Sequence, residues 1–361
     1  MKVLFVFNHP APYKVELLNR ISKSIDLMVL FERRQNADRN PSFYASNKIE
    51  FPHQFLKGIP VGNENFLSWQ IKKHIKENKY DLIVMNGYST IAEIIALNYL
   101  IRHKIPYVLY VNGGVIRKDK PLKLKLKRKF ITNAKSYYSP NEIADAYLIH
   151  YGARKEDIRN YPYSTISEKE IASAPFNDEE KQNILNKYGI PSDKPLFISA
   201  GQFIDRKNNL YLLEMFLERP QYNLVLVGEG EQKELLEKYI KEHNMTNVFM
   251  IPFLKRTDLF PLIKSCSAFI TLSKEDIYGH VINESLSQGK PVISSSKVVA
   301  AKTLITNGKN GYVVNLVKEE ILSAIDNVLF LDCFEFATSV AKNNTYEGSA
   351  AIHVTLWKEE K

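Results

Sequence analysis

Residues 273–291, SKEDIYGHVINESLSQGKP, place two carboxylates eight positions apart, Asp276 and Glu284, with Gly279 and His280 between them. In one continuous helix they would lie about 12 Å apart along the axis. The apolar run Ala268–Leu272 before this stretch predicts a strand, and helical spacing returns over Val281–Gln288. A strand, a loop and then a helix lets both carboxylates face one pocket. Backbone N–H groups at the helix start, near Gly279 and His280, suit a phosphate. Glu284, one turn inside, can accept hydrogen bonds from a ribose diol, and Asp276 in the loop can reach sugar hydroxyls. On spacing alone, a surface aspartate and a solvated helical glutamate are the plainer alternative.

A second stretch with chemistry is residues 201–208, GQFIDRKN, which follows the predicted strand Pro195–Ala200 and opens a helix over Leu210–Arg219. Arg206 and Lys207 stand side by side at that helix start. Cations there oppose the helix dipole, so on these residues alone solvation is the plainer account and a bound anion the alternative. Other chemistries lack their residues. The chain has no G-x-S-x-G, H-E-x-x-H, P-loop or D-x-D motif. The first strand is followed by NHPAPY, which cannot supply a G-x-G-x-x-G dinucleotide turn. No metal site is expected.

The elements that must position these residues alternate. In the first half, strands are predicted at Val3–Phe7, Ile25–Leu30, Asp81–Met85, Pro106–Val111 and Lys135–Tyr138, with helices at Glu16–Ser24, Ser89–Arg102 and Glu142–His150. Residues 35–65 are polar and irregular, with Asn40-Pro41 and Gly58-Ile59-Pro60 as breakers. Pro162, Pro175, Pro191 and Pro195 interrupt residues 160–195, and a short helix is predicted near 178–188. The alternation then restarts, with further strands at Tyr222–Val227, Asn247–Ile251 and Pro291–Ser294. The expected fold is α/β, with two Rossmann-like doubly wound parallel-sheet domains facing a cleft. The expected boundaries are 1–165, a linker at 166–189, and 190–342. Ligands of such sheets bind beyond the carboxyl ends of the strands.

The length of 361 residues fits two domains, and 45% hydrophobic with 25% charged residues excludes wholesale disorder. Two cysteines, Cys266 and Cys333, cannot make a disulfide framework, which favours a reducing compartment. No apolar run reaches the roughly 18 residues of a membrane span, and MKVLFVFNHP is too short for a signal peptide. A cytoplasmic protein is expected. The net charge is +9, and residues 117–129 hold +7 of it, with eight cations against Asp119. Leu122, Leu124 and Leu126 interleave with Lys123, Lys125, Lys127 and Arg128. That mixture suits an anionic membrane surface, where each cation contributes about 1 kcal/mol. A solvated basic helix face is the alternative. Nothing resembles a zinc-finger, RNP or basic-zipper pattern, so no nucleic-acid partner is expected.

Asp276-x7-Glu284, with Gly279 between and Gly289-Lys290-Pro291-Val292 after, resembles the E-x7-E signature of glycosyltransferase family 4, retaining enzymes of the GT-B fold. Asp276 stands where that family usually has Glu, which shortens the reach by one methylene. Gly201 to Asn208 resembles the family's Gly-Arg-x-x-x-x-Lys-Gly element, which binds the donor diphosphate. Lys207 matches its lysine, and Gln202 replaces its arginine. Val225 to Gly230 resembles the family's LxxVGxG strand-turn, and Asn307 to Gly311 its D-G-x-N-G turn. Leu254 follows a strand where the family's nucleobase packs. In the first half the resemblance is weaker. The Gly-Gly pair of many relatives is missing from the loop carrying His9, and Asn112 stands where many carry a histidine. Asn86 also ends a strand.

The resemblance implies a retaining, metal-independent hexosyl- or N-acetylhexosaminyl-transferase without a cofactor. It implies Asp276, Arg206 and Lys207 as catalytic residues. Gly201, Gln202, Leu254, Gly279, His280 and Glu284 would bind a nucleotide-sugar donor, with a UDP-sugar favoured. His9, Asn86 and Asn112 would face the acceptor, and residues 343–361 would cross back onto the first domain. Together with the basic segment, it implies a saccharide or lipid-linked saccharide acceptor at the inner face of the membrane. That acceptor fits surface polysaccharide, capsule or lipopolysaccharide biosynthesis. An epimerase or soluble disaccharide synthase of the same fold, or a non-catalytic partner subunit, are the alternatives.

Overall fold

The apolar run after Met1 becomes strand β1 (Lys2–Phe7), in which every residue from Val3 to Phe7 is buried. A strand buried on both faces needs parallel neighbours and helices above and below it. The computed structural model supplies them; it describes residues 1–35, 44, 48–62, 65–114 and 116–360, and Asn40-Pro41 lies outside these. The chain divides into two units, Met1–Ser164 with Thr345–Lys361, and Thr165–Asn344.

The first unit continues with β2 (Asp26–Phe31), β3 (His53–Phe55), β4 (Ile59–Val61), β5 (Asn65–Leu67), β6 (Leu82–Met85), β7 (Val108–Tyr110), β8 (Ser136–Ser139) and β9 (Ile158–Asn160). Its main sheet is parallel, in the order β3-β2-β1-β6-β7-β8-β9. The irregular region of the sequence holds β3 and a separate antiparallel pair, β4 with β5. Helices α1 (Pro12–Ile21), α2 (Gln70–Glu77), α3 (Ile91–Arg102), α4 (Pro121–Thr132) and α5 (Glu142–His150) accompany the sheet. Helix α3 starts with a capping box, Thr90 and Glu93 each accepting the other's amide. Pro121 opens α4, where a missing N–H costs nothing.

The second unit holds α6 (Asp178–Lys187), β10 (Leu196–Ala200), α7 (Asn209–Leu217), β11 (Asn223–Val227), α8 (Lys233–Glu242), β12 (Val248–Ile251), α9 (Arg256–Ser265), β13 (Ala268–Thr271), α10 (His280–Ser287), β14 (Val292–Ser295), α11 (Val299–Leu304), β15 (Gly311–Val314), α12 (Lys318–Asn327) and α13 (Phe334–Lys342). Its parallel sheet runs β12-β11-β10-β13-β14-β15. This is the doubly wound order that reverses direction between its first and fourth strands. The switch point lies between β10 and β13. Residues 166–189, expected as a linker, are part of this unit. Helix α6 packs on α9 and is tied to it by the 2.6 Å pair of Lys187 with Asp258.

The last helix, α14 (Tyr346–Glu359), belongs to the first unit and packs on α1. Arg20 meets Glu347 at 2.9 Å, Ser349 Oγ donates to the Pro162 carbonyl, and Trp357 is fully buried beside Phe5. Among the described residues no helix is long and apolar enough to cross a membrane.

Candidate active site

The loops after β10 and β13 meet at the switch point of the second unit. After β10, a 3-10 turn at Asp205–Lys207 ends in Asn208, which adopts left-handed φ and ψ of 60° and 34° before α7 begins. Asparagine tolerates that region better than most residues. Its side-chain amide donates to the Leu272 carbonyl at 3.1 Å, and the Lys274 amide donates to the Arg206 carbonyl at 2.8 Å. These bonds fasten the two loops together.

The glycines of the Val225–Gly230 turn do structural work. A Cβ on Gly228 would stand 1.9 Å from the Gly201 carbonyl oxygen, and one on Gly230 would stand 2.4 Å from that of Phe203. The Phe203 amide donates to the Glu229 carbonyl at 2.8 Å. The Gly201–Phe203 loop, with Gln202 in it, therefore rests directly on the turn after β11. The turn Asn307–Gly311 is structural in the same sense. Its Asn310 is fully buried and bonds the Thr306 amide and the Leu304 carbonyl.

The cations expected to hold a diphosphate converge on the aspartate. Lys207 Nζ lies 2.5 Å from Asp276 Oδ2, and Arg206 Nη1 lies 3.8 Å from the same oxygen. The Tyr278 amide donates to Asp276 Oδ1 at 3.2 Å. The backbone of Asp276 is clamped as well, its amide donating to Lys297 and its carbonyl accepting from Val299. Burial alone would push the Asp276 carboxyl up; Lys207, the Tyr278 amide and Arg206 outweigh it and hold the pKa below the ordinary aspartate value. This leaves an ionised carboxylate with two cations on one side, at the carboxyl end of β13.

Gly279 precedes α10 with φ of 93°, and a Cβ there would strike Val298 Cγ1 at 2.3 Å. His280 is the first helical residue, so α10 begins four residues after Asp276. Glu284 follows one turn later and is partly buried, with its side chain 14% exposed. Its Oε1 lies 2.8 Å from Arg256 Nη2, and Arg256 Nη1 lies 3.4 Å from Glu170 Oε1. Burial raises the Glu284 pKa, Arg256 opposes the rise, and Glu170 adds to it. Sequence spacing gave no hint of Arg256, which stands at the first turn of α9. Leu254, after β12, is half-buried, and Phe253 beside it is exposed.

In the first unit, Asn86 and Asn112 come together at the ends of β6 and β7, where the Asn112 amide donates to Asn86 Oδ1 at 3.1 Å. His9 follows β1, and its Nδ1 lies 3.2 Å from the Tyr44 hydroxyl. The sequence reading missed a buried carboxyl pair near this edge, Glu32 and Glu93, bridged by Thr90. The basic segment forms α4 and the loop before it. Lys123, Lys125 and Arg128 are exposed, and so are Ile116 and Leu122. Lys127 corrects the expectation of a membrane-facing residue. Its side chain is 11% exposed, pairs with Asp119 at 2.7 Å, donates to Tyr151 and lies over the Tyr151 ring. It shares the inner helix face with the buried Phe130 and Ile131. Among the described residues, no group of three or more His, Cys, Asp or Glu is arranged to hold a metal ion.

Residues 180–345 match the family model described as glycosyl transferases group 1. An uncharacterized glycosyltransferase of Methanocaldococcus jannaschii is 26% identical over 286 residues, covering 70% of this chain and 69% of that protein. A lipopolysaccharide core biosynthesis glycosyltransferase of Rhizobium meliloti, LpsE, is 29% identical over 131 residues, 36% of this chain and 38% of its own length. Among solved structures, Anabaena HepE in complex with UDP superposes with a TM-score of 0.78 at 17% identity, covering 99% of both chains. The fold is GT-B, and the matched segment contains the whole constellation around Asp276. The similarity to glycosyl transferases group 1 thus covers residues 180–345, just under half of the chain.

Proposed function

We propose that this chain is a retaining glycosyltransferase of family 4 that moves a sugar from a nucleotide-sugar donor, a UDP-sugar by preference, to a saccharide acceptor that is lipid-linked. The observation that carries the reading is the convergence of Lys207, Arg206, Asp276 and the start of α10 at one switch point. That is the place where an α/β sheet binds ligands. The UDP held by the structural neighbour HepE and the lipopolysaccharide core role named for the Rhizobium relative support the donor and acceptor classes.

In this reading Lys207, Arg206 and the first amides of α10 take up the charge of the departing diphosphate. Glu284 receives the ribose hydroxyls, and Asp276 the hydroxyls of the donor sugar. The acceptor oxygen bonds to the anomeric carbon on the face the diphosphate leaves. The acceptor proton passes to a diphosphate oxygen, so no protein nucleophile is used. Gly201, Gln202 and His280 border the diphosphate, and Leu254 lies against the base. The first unit binds the acceptor near Asn86, Asn112 and His9. The exposed cations Lys123, Lys125 and Arg128 hold the protein to an anionic membrane surface on the cytoplasmic side.

The test is transfer from a panel of UDP- and GDP-sugars to lipid-linked saccharides, with the product's anomeric configuration read by NMR. Retained configuration and nucleoside diphosphate release that depends on acceptor are expected. Product formed without any acceptor identifies an epimerase. A folded protein that no nucleotide stabilises, where 100 Kd of ligand should add about 2.7 kcal/mol, overturns the reading.

A further inference from the structure

Arg256 sits between two carboxylates that come from distant parts of the second unit. Its Nη2 is 2.8 Å from Glu284 Oε1 on α10, and its Nη1 is 3.4 Å from Glu170 Oε1. Glu170 is itself fixed. It closes a 3-10 turn, its Oε2 accepting from the Ser167 amide at 2.7 Å and the Ser167 hydroxyl at 2.9 Å. Its backbone is held too, since Gln288 Nε2 donates to the Glu170 carbonyl at 2.8 Å. The guanidinium also lies over the Phe260 ring, 5.3 Å from its centroid. A planar fork held on three sides fixes the carboxylate it meets.

We propose that Arg256 is a positioning residue for nucleotide recognition: it holds the Glu284 carboxylate in place for the ribose diol of the donor. The inference rests on Glu284 being the ribose ligand. A carboxylate oxygen has two lone pairs, so Oε1 can accept from Arg256 and still take part in a bond to a hydroxyl. Arg256 also keeps the site usable at neutral pH. The charged groups that face Glu284 are Arg256 from α9 and Glu170 from the 3-10 turn. One is a cation and the other an anion, and burial favours the protonated acid. Without Arg256, burial and Glu170 act unopposed, and the protonated acid, one of its oxygens now a donor, accepts only weaker, uncharged hydrogen bonds from the diol.

The experiment is calorimetric binding of UDP and GDP, each with its 2′-deoxy counterpart, between about pH 5.5 and pH 8.5. Wild type is expected to prefer the ribose form of its nucleotide by about tenfold to hundredfold, the worth of a hydrogen bond to a charged group. Glu284→Gln is expected to lose most of that preference at every pH. Arg256→Ala is expected to lose it at the acid end and to regain part of it as pH rises. Arg256→Lys, which keeps the charge without the fork, is expected to restore the wild-type pH profile but not the full preference. If wild type binds neither diphosphate, or Glu284→Gln keeps the preference, the donor-site reading fails and the inference with it. If Glu284→Gln behaves as expected while Arg256→Ala keeps both the preference and the wild-type profile, Arg256 alone is overturned. A purely structural Arg256 would lower the melting temperature without moving the pH profile.

Discussion

The Lys207 ammonium lies 2.5 Å from Asp276 Oδ2, joining the loop after β10 to the loop after β13 across the switch point of the second sheet. Both side chains are largely buried, 16% and 18% exposed. A pair held this way neutralises itself, and removing one partner strands the other. In the proposed function a donor diphosphate brings negative charge to this point. Lys207 then has a second anion to serve, and Asp276 is released toward hydroxyl groups. The pair is a resting arrangement of the two groups that the proposed reaction uses separately.

Lys207→Ala is therefore expected to reduce transfer by about 10²–10³-fold, as loss of a charge-stabilising group does. It is also expected to destabilise the protein, because Asp276 is left without its nearest cation. The double variant Lys207→Ala with Asp276→Asn should recover part of that stability and none of the activity. Thermal unfolding of the four proteins of the cycle, alongside turnover, separates the two effects. Wild-type turnover in Lys207→Ala would remove the lysine from the site.

Gly228 tests how the Gly201–Phe203 loop, proposed to border the diphosphate, is held. An added Cβ would meet the Gly201 carbonyl at 1.9 Å, and backbone cannot swing aside as a side chain does. Gly228→Ala should cost about 2–3 kcal/mol by overpacking and weaken nucleoside diphosphate binding together with stability. Gly189→Ala is the control. Gly189 has φ of 63° with open space around it, so the change should cost about 1–2 kcal/mol of backbone strain and leave binding intact. Equal binding losses in both would show that general destabilisation is the cause.

The candidate site of the second unit was legible because its residues sit in short strand–loop–helix segments. Gly201–Asn208 and Ser273–Glu284 each carry their residues within one such segment, so spacing in sequence nearly equals placement in space. Arg256 and Glu284 are 28 residues apart and meet only through the packing of α9 on α10. Glu32 and Glu93 likewise come from the ends of β2 and the start of α3. No local pattern connects such pairs. Lys127 is different, because the signal was present. Phe130 and Ile131 lie three and four positions on, which puts Lys127 on the apolar face of α4. The count of cations in residues 117–129 concealed the periodicity within it.

Glu32 and Glu93 give the protein a pH response. Glu32 is pushed up to about 8 by burial and by the nearby charge of Glu93, and Glu93 up to about 7 by burial. Raised acids stay protonated in the folded protein where the unfolded chain has already ionised. Their linkage therefore lowers stability as pH rises from about 4.5 through 7–8. Glu32→Gln should flatten this fall, read by denaturant unfolding at about pH 6 and about pH 8.5. Lys14, buried and lowered, acts with the opposite sign in both proteins and cancels in the difference. Superimposable pH dependences would mean that the pair does not titrate in this window.

The basic helix α4 separates a surface role from a structural one. Lys123, Lys125 and Arg128 are exposed, with Ile116 and Leu122 beside them at 49% and 73% exposure, whereas Lys127 is bound to Asp119 and Tyr151. Each cation near an anionic bilayer contributes about 1 kcal/mol, and charge reversal removes more than neutralisation. The triple change Lys123→Glu, Lys125→Glu and Arg128→Glu should weaken binding to phosphatidylglycerol vesicles by at least about 100-fold and leave the melting temperature near that of wild type. Lys127→Ala should do the reverse, lowering the melting temperature with little change in vesicle binding. Sedimentation with vesicles at two salt concentrations checks both, since a surface electrostatic contact weakens as salt rises. Unchanged vesicle binding in the triple variant would take the membrane out of the proposed function and leave a soluble saccharide as the acceptor.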